Sequence, residues 1–546
     1  MSQELTLNNI VKEYFSNILN IHPELGLEMD IDVSRSLPDM SLEVIEREKG
    51  LIRLTLEKLE DIDFEDLSLD GKVAYLSFRD YLRLRLFFIE DWQIWRMYPE
   101  SLEILVKIIG YIVNSSRYTW EEKVVKLAEY MDDLHKFLEL SKQRIKRPLK
   151  LLVELSLILI TYIKQLLAYL EEEVGKDPKA SKVYSKYKVR FDRAMEYLDD
   201  YKNWISNLRG KELFDISMGE NLYDKLIRVR RIGDSLQSVQ QLLKSEINNI
   251  MEEINRKLVI MNMSSLRDYM EGVRSVTYRD PYMIVSRYEQ IFVETRRHIL
   301  ENNLAELPEI DLDIHVVPVK TSYTTPIFTY KSDIQDGRLK IEIYLRIKDE
   351  DDLKWHNDFE ARLRVIREII PGQALVNYYL KTSGSLLQKI LDIPHYQVGW
   401  GYFVQDMMID TGVLASSDYE LLALIDKYKL AMLAKMDLEV NLGKISHSMA
   451  YKHLRNLDGI FSEDEATIGV MEVLMSPSMH LSNYLAYVFY KNIARKLKIL
   501  SGENFSYRWL VDEVLKYAVT PHKYLEALIL RDYAGNIIDR EFNMNT

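Results

Sequence analysis

Cysteine is absent from all 546 residues. That removes disulfides, cysteine nucleophiles and thiolate metal sites together, and leaves the redox compartment open. Proline is scarce, with thirteen residues gathered at joints such as Asp177-Pro178 and Asp280-Pro281, so helices can run long between them. Positive charge is outweighed: 72 Lys and Arg against 85 Asp and Glu leave a net −13. Such a balance disfavours non-specific nucleic-acid binding through bulk charge. The local basic runs at 142–150 and 228–231 read as solvated helix faces. Uninterrupted apolar runs are also missing. The strongest, 151–170, is broken by Glu154 and Lys164 and reads as a buried helix rather than a membrane span. Met1-Ser2-Gln3-Glu4-Leu5-Thr6 has neither the basic start nor the apolar run of a signal peptide, so a cytoplasmic protein is expected. There is no P-loop, no Rossmann glycine pattern and no G-x-S-x-G elbow.

What is present is a large core. Hydrophobic residues make up 47% and charged residues 29% of the chain, as expected of a globular protein. From 42 to about 303 the apolar residues recur at three and four, as in Leu127, Tyr130, Met131, Leu134, Phe137 and Leu138, which predicts nearly continuous helix. The pattern changes over 304–348. Residues 311–319 and 325–330 read as strands. Asp336-Gly337 is a turn signal, and Ile341, Ile343, Leu345 and Ile347 then follow at period two. Helix resumes from about 351. The expectation is a mainly α fold with one small antiparallel β-sheet, divided into 1–303, 304–350 and 351–546 within one compact unit. No fixed-period repeat or low-complexity tract interrupts it. Abundant Lys, Glu, Ile, Leu and Tyr are compatible with a thermophilic source.

The segment richest in information is Arg367-Glu368-Ile369-Ile370-Pro371-Gly372-Gln373-Ala374. It compares with the zinc-peptidase pattern H-E-x-x-P-G-H-H, in which histidines hold the metal and the glutamate activates a water. Here Arg367, Gln373 and Ala374 stand at the histidine positions, and arginine has no lone pair to give a metal. Glu368 is vestigial as a general base. It is also the end of a ladder with Glu360 and Arg364 at i, i+4 spacing, the plainer reading of the three. His356 and Glu360 have the same spacing and are a weaker metal-pair candidate. His395 precedes Gly399-Trp400, making His395 and Trp400 cleft candidates, with His356 a third. His480 lies beside Pro477. The 35 tyrosines, including Tyr378-Tyr379 and Tyr484, Tyr487 and Tyr490, read mainly as helix packing.

Several phrases in order resemble the domain-of-unknown-function family 885, a largely helical, zincin-like set of candidate metallopeptidases. Residues 215–223, ending Gly219-Glu220-Asn221-Leu222-Tyr223, are similar to its L-G-E-x-x-Y. Gly399-Trp400-Gly401-Tyr402-Phe403-Val404-Gln405 resembles its E-G-W-A-x-Y-A-E, and Asp410 and Gly412 continue it. Residues 437–446 resemble its D-x-G-L-H segment, 477–484 its P-G-Q-A-L-S-Y, and 505–525 its closing F-x-x-x-F-H…P-L. The resemblance implies a zincin-like fold in which a strand and the next helix flank a substrate cleft. Departures fall on the polar working positions. Val398 stands for the acid before Gly-Trp, Gln405 for the later acid, Asn441 for the histidine of D-x-G-L-H, and Val511 for the closing histidine.

The resulting expectation is a metallopeptidase-like pseudoenzyme, with no catalytic residue beyond vestigial Glu368, no metal and no cofactor. It retains a cleft near Arg367, Gln373, Ala374, Val398, Gln405 and Asn441, and binds a peptide or protein partner rather than a membrane or nucleic acid. Two other readings stay open. One is a hydrolase with a rearranged site using Glu368, His356 and His395. The other is a structural subunit of a larger assembly.

Overall fold

The computed structural model describes residues 2–28, 36–115, 118–210, 217–275, 277–278, 280–317, 326–391, 394–457, 459–517 and 520–531. The chain is mainly helical and divides into two compact units, 1–71 with 78–218 and 72–77 with 219–546. The expected break at 304 lies inside the second unit.

The first unit is built on four helices, Ser101–Asn114, Trp120–Arg144, Lys150–Gly175 and Pro178–Ser206. Their starts follow from local chemistry. Thr119 and Glu122 form a reciprocal capping box, and Asp177 caps a helix whose first residue is Pro178. Leu105, Ile109, Leu127, Leu134, Ile160, Ile163 and Leu198 meet in one buried cluster. Lys150–Gly175 is long and apolar enough to cross a membrane by length and composition alone. One stripe of it, including Leu152, Ile160, Ile163 and Leu170, is buried inside the protein.

Also in this unit, His22 bridges Glu24 (3.1 Å) and Glu48 (2.8 Å), and Glu48 also accepts from Arg85 Nε at 2.9 Å. Burial opposes charge on the imidazole, but its two carboxylate partners carry the His22 pKa up to about 9. Burial likewise opposes charge on Glu48, and Arg85 with His22 overcomes it and brings its pKa down to about 2.

In the second unit the helix Ser417–Asn441 is buried on all sides, from Leu421 and Leu424 to Ala431, Met436 and Val440. Helices Leu236–Ile260, Pro394–Asp410, Glu463–Met475 and Met479–Ser501 surround it. The sheet comprises β1 (Ile310–Val317), β2 (Phe328–Gln335) and β3 (Arg338–Arg346) in the order β1-β3-β2. Asp336 and Gly337 both have positive φ, 52° and 79°, the backbone that a two-residue hairpin between β2 and β3 requires. Leu339, Ile341, Ile343 and Leu345 alternate inward along β3 and are essentially inaccessible.

The sheet is mixed, which corrects the antiparallel expectation. β2 pairs with β3 antiparallel, but β1 runs parallel to β3, with Leu312 opposite Ile341 and Ile314 opposite Ile343. The hairpin occupies one edge of β3, so β1 takes the other edge and the chain crosses over to reach β2. Residues 318–325, which include the expected end of the first strand and start of the second, lie outside the described residues.

The His22 cluster gives a pH prediction. The imidazole's folded pKa is raised, so its contribution is complete below about pH 6.5 and is lost as pH rises through about 9. The carboxyl of Glu48 is depressed, so its contribution is complete above about pH 4.5 and is lost as pH falls towards 2. In thermal melts from pH 5 to 9.5, His22→Ala should flatten the alkaline decline of wild type. Parallel curves for the two proteins would count against the cluster.

Candidate functional site

The motif occupies the end of a short helix. Asn357 caps its start, accepting from the Glu360 N–H at 3.0 Å. The helix runs over Asp358–Arg364 and widens into a π-helical turn at Val365–Ile369. A cis Ile370-Pro371 bond and Gly372 then lead into the helix Gln373–Thr382. The chain folds back so tightly that a Cβ on Gly372 would lie 1.9 Å from the Arg367 carbonyl oxygen.

Arg367 is the centre of the site. Its Nε donates to Glu368 at 3.0 Å and its Nη1 to Asp426 at 2.6 Å, while the guanidinium lies 5.0 Å from the Tyr402 ring centre. Gln373 donates to the other Glu368 oxygen at 3.0 Å. Gln405 donates to the Leu363 carbonyl at 3.2 Å and to Asp426 at 3.3 Å, leaving its own buried carbonyl oxygen without a partner. Burial opposes the charge on Arg367, but Tyr402, Asp426 and Glu368 hold its pKa above the ordinary arginine value. Burial pushes the Tyr402 hydroxyl up, so it stays protonated. Strand β2 borders the group through Tyr330, whose hydroxyl accepts from Asn377 at 3.4 Å.

Two glycines bring the second motif against the first. A Cβ on Gly401 would sit 2.7 Å from the Arg367 carbonyl oxygen. One on Gly399 would sit 2.3 Å from the Ala486 Cβ on helix Met479–Ser501. Trp400, fully buried, donates its indole N–H to the Pro371 carbonyl at 2.9 Å and packs on Phe403 and Tyr490.

Arg367, Glu368, Gln373 and Gln405 are therefore gathered into one hydrogen-bonded chain, with Asp426 as the link that sequence reasoning missed. Position 426 lies on a helix buried all round, so no polar stripe marks it. Ala374 is buried and apolar beside them, and Val398 is half-buried on helix Pro394–Asp410. The side chain of His395 lies outside the described residues.

Other expectations require correction. Asn441 lies fifteen residues beyond Asp426 on the same helix, about 22 Å along its axis, so it is not part of this group. It donates instead to Asp437 at 3.0 Å, and Asp437 also accepts from the Tyr223 hydroxyl (3.1 Å) and the backbone N–H groups of Ser478 (2.9 Å) and Leu481 (3.3 Å). That buried node joins three of the quoted phrases. His356 lines no cleft and does not pair with Glu360. It is 1% exposed, with Nε2 at 3.0 Å from the Arg346 carbonyl and Nδ1 at 3.3 Å from the Tyr288 hydroxyl. Burial, helped by Arg364, brings its pKa down to about 3, so it is neutral. Glu360 pairs with Arg274 at 3.2 Å and Arg364 at 3.6 Å. The ladder stops there, because the π turn rotates Glu368 off that stripe and towards Arg367.

Chemically, the group offers a metal the carboxylates of Glu368 and Asp426, both engaged by Arg367, and the amide oxygens of Gln373 and Gln405, but no imidazole. Among the described residues, no three or more His, Asp or Glu side chains come together in a way that could hold a metal ion. The geometry predicts unequal mutational costs. Asp426→Ala leaves a partly buried guanidinium with one carboxylate and should cost about 2 kcal/mol, below the range for fully buried pairs. Glu368→Gln keeps the Asp426 pair and should cost under about 1 kcal/mol. Urea denaturation of both variants is the check, and equal losses would refute the central role of Asp426.

The fold has solved relatives. A "putative lipoprotein of unknown function" from Shewanella oneidensis superposes with a TM-score of 0.76 at 15% identity, over 96% of this chain and 99% of that one. A "putative lipoprotein" from Colwellia psychrerythraea gives 0.83 at 12% identity, over 98% and 100%. At such identities the likeness is one of fold. These relatives overturn the cytoplasmic expectation, which rested on an N-terminus without an apolar run, and that feature alone does not assign a compartment. No curated protein matches the chain. The model of the family described as "Bacterial protein of unknown function (DUF885)" matches residues 23–529, and the chain belongs to that family.

Proposed function

We propose that this chain is a catalytically inactive relative of metallopeptidases that binds a peptide or protein partner. The observation that carries the reading is Arg367. A protonated guanidinium, ion-paired on both sides at 3.0 and 2.6 Å, stands at the first metal-ligand position of the compared pattern. Gln373 follows as an amide and Ala374 as a methyl, so the donor set does not fit a zinc ion. Glu368, held by Arg367 and Gln373, has no Lewis acid to work with. General-base help alone contributes about 10²–10⁴-fold, whereas enzymes achieve roughly 10⁶-fold or more. The rearranged-site alternative loses His356, whose two ring nitrogens are both committed in the interior.

Binding is supported by a cavity of about 400 Å³ lined from helices Leu236–Ile260, Pro394–Asp410, Ser417–Asn441 and Met479–Ser501. Asp406 and Lys427 in its lining are the chain neighbours of Gln405 and Asp426. Lys427 pairs with Asp406 at 2.6 Å, Lys498 with Asp410 at 2.7 Å, and Lys257 with Glu420, while Phe403 supplies an apolar wall. Paired charges of both signs around an aromatic suit a peptide, whose own ammonium and carboxylate groups can exchange into those pairs.

The decisive assay is peptide cleavage with and without chelator, on wild type and Glu368→Gln. Neither protein should cleave above buffer. Chelator-sensitive cleavage that vanishes in Glu368→Gln would overturn inactivity. Fluorescence anisotropy with a labelled mixed-charge decapeptide should give saturable binding to wild type, weakened about tenfold by Lys427→Glu. Unchanged binding would remove the cavity from the proposal.

A further inference from the structure

The ion pairs around the 400 Å³ cavity do not use all of its charges. Within the lining, Lys257 pairs with Glu420, Lys427 with Asp406 and Lys498 with Asp410, while Lys491 pairs with Glu246 at 3.8 Å. Two charged side chains of the lining are left over. Glu253, on helix Leu236–Ile260, has no cationic partner among the described residues. Arg495, on helix Met479–Ser501, has no carboxylate partner among them. The cavity therefore offers a ligand one free anchor of each sign, on separate helices.

Those two helices run in the same direction. Glu246 accepts from the Tyr484 hydroxyl at 3.3 Å, and further along each chain Lys257 and Lys498 reach the same cavity. Their C-terminal ends therefore lie on the same side of it. There each stripe turns apolar. Ile260 lies at i+7 from Glu253 and i+3 from Lys257, and Ile499 at i+4 from Arg495. The two isoleucines are 75% and 76% exposed, and Val259 and Leu500 beside them are 75% and 55% exposed. Four aliphatic side chains left in water at neighbouring helix ends form an apolar patch next to a polar cavity.

Given the peptide reading above, on which this rests, we infer that the cavity holds a short apolar peptide by its two free ends, the terminal ammonium at Glu253 and the terminal carboxylate at Arg495. A carboxylate can accept two parallel hydrogen bonds from the Arg495 guanidinium, and an ammonium can donate to the Glu253 oxygens. In a single amino acid the two charges sit on one carbon, too close together to reach two helices at once. Neighbouring helix axes lie about 8–10 Å apart, roughly two to three residues of extended chain. A volume of about 400 Å³ is near the small end of ligand sites, which sets a similar upper bound. Apolar side chains on such a peptide would cover Ile260 and Ile499 and remove their surface from water.

Calorimetric titration of the intact protein with the tripeptide Leu-Ala-Leu should show saturable binding. Acetylating its N-terminus, and separately amidating its C-terminus, should each weaken binding about tenfold. Arg495→Gln should weaken the free tripeptide by a similar factor and abolish the penalty for amidation. Glu253→Gln should do the same for acetylation. Both positions are exposed, so neither change disturbs the core. Gly-Gly-Gly should bind more weakly than Leu-Ala-Leu, and Ile260→Ser should narrow that difference. Equal binding of free and blocked tripeptides would overturn the assignment. So would an absence of saturable binding by the free form, or an amidation penalty that survives Arg495→Gln. If the labelled decapeptide still binds in a Lys427-dependent way under any of those results, the peptide reading stands and only the two end contacts are lost. If neither peptide binds, both fall.

Discussion

The guanidinium of Arg367, held between Glu368 and Asp426, is the interaction on which the surrounding architecture depends. Withdrawing a positive charge this far from water is unfavourable unless nearly every donor finds an acceptor. Two carboxylates from different helices, with the Tyr402 ring alongside, meet that condition. The same residue is fixed through its backbone. Its carbonyl oxygen sits where a side chain on Gly372 or Gly401 would need to be. Charge on one side and close backbone packing on the other leave the residue one position. The motif helix, helix Pro394–Asp410 and helix Ser417–Asn441 are aligned on it.

Around that anchor, the framework residues of the family resemblance keep roles that do not depend on a metal. Trp400 ties the segment after the motif to the next helix by one hydrogen bond and a large buried ring. Gly399 lets that helix lie directly against Met479–Ser501. These contacts account for packing alone. They use none of the polar side chains gathered at Arg367, in line with the independence of fold from site.

Much of this was legible in the sequence. The alternation of Leu339, Ile341, Ile343 and Leu345, with Asp336-Gly337 before it, specified the hairpin because two positive-φ residues and a period of two allow little else. That Arg367, Glu368, Gln373 and Gln405 share one site was an expectation implied by the family resemblance. The direction of β1 was not legible, because strand pairing across a crossover depends on which edge is free rather than on local pattern. Asp426 was hidden on a helix that is apolar almost all round. Asn441 shares that helix, and only its length separates the two clusters. The π turn, which carries Glu368 towards Arg367, leaves no mark in a 3.6-residue periodicity. The burial of His356 was not legible, because its partners, the Tyr288 hydroxyl and the Arg346 carbonyl, lie outside its own helical turn.

The node at Asp437 bears on how the second unit comes into being. One carboxylate takes hydrogens from Tyr223, from Asn441 and from the backbone at Ser478 and Leu481. Its partners thus span more than 250 residues of chain, and none can be supplied by a local turn. A ribosome must complete the segment around Ser478 before Tyr223 can find its acceptor satisfied in the native way. Until Asp437 itself is made, the Tyr223 phenol lacks its native acceptor. A nascent chain halted before residue 478 would lack two of the four donors to this carboxylate.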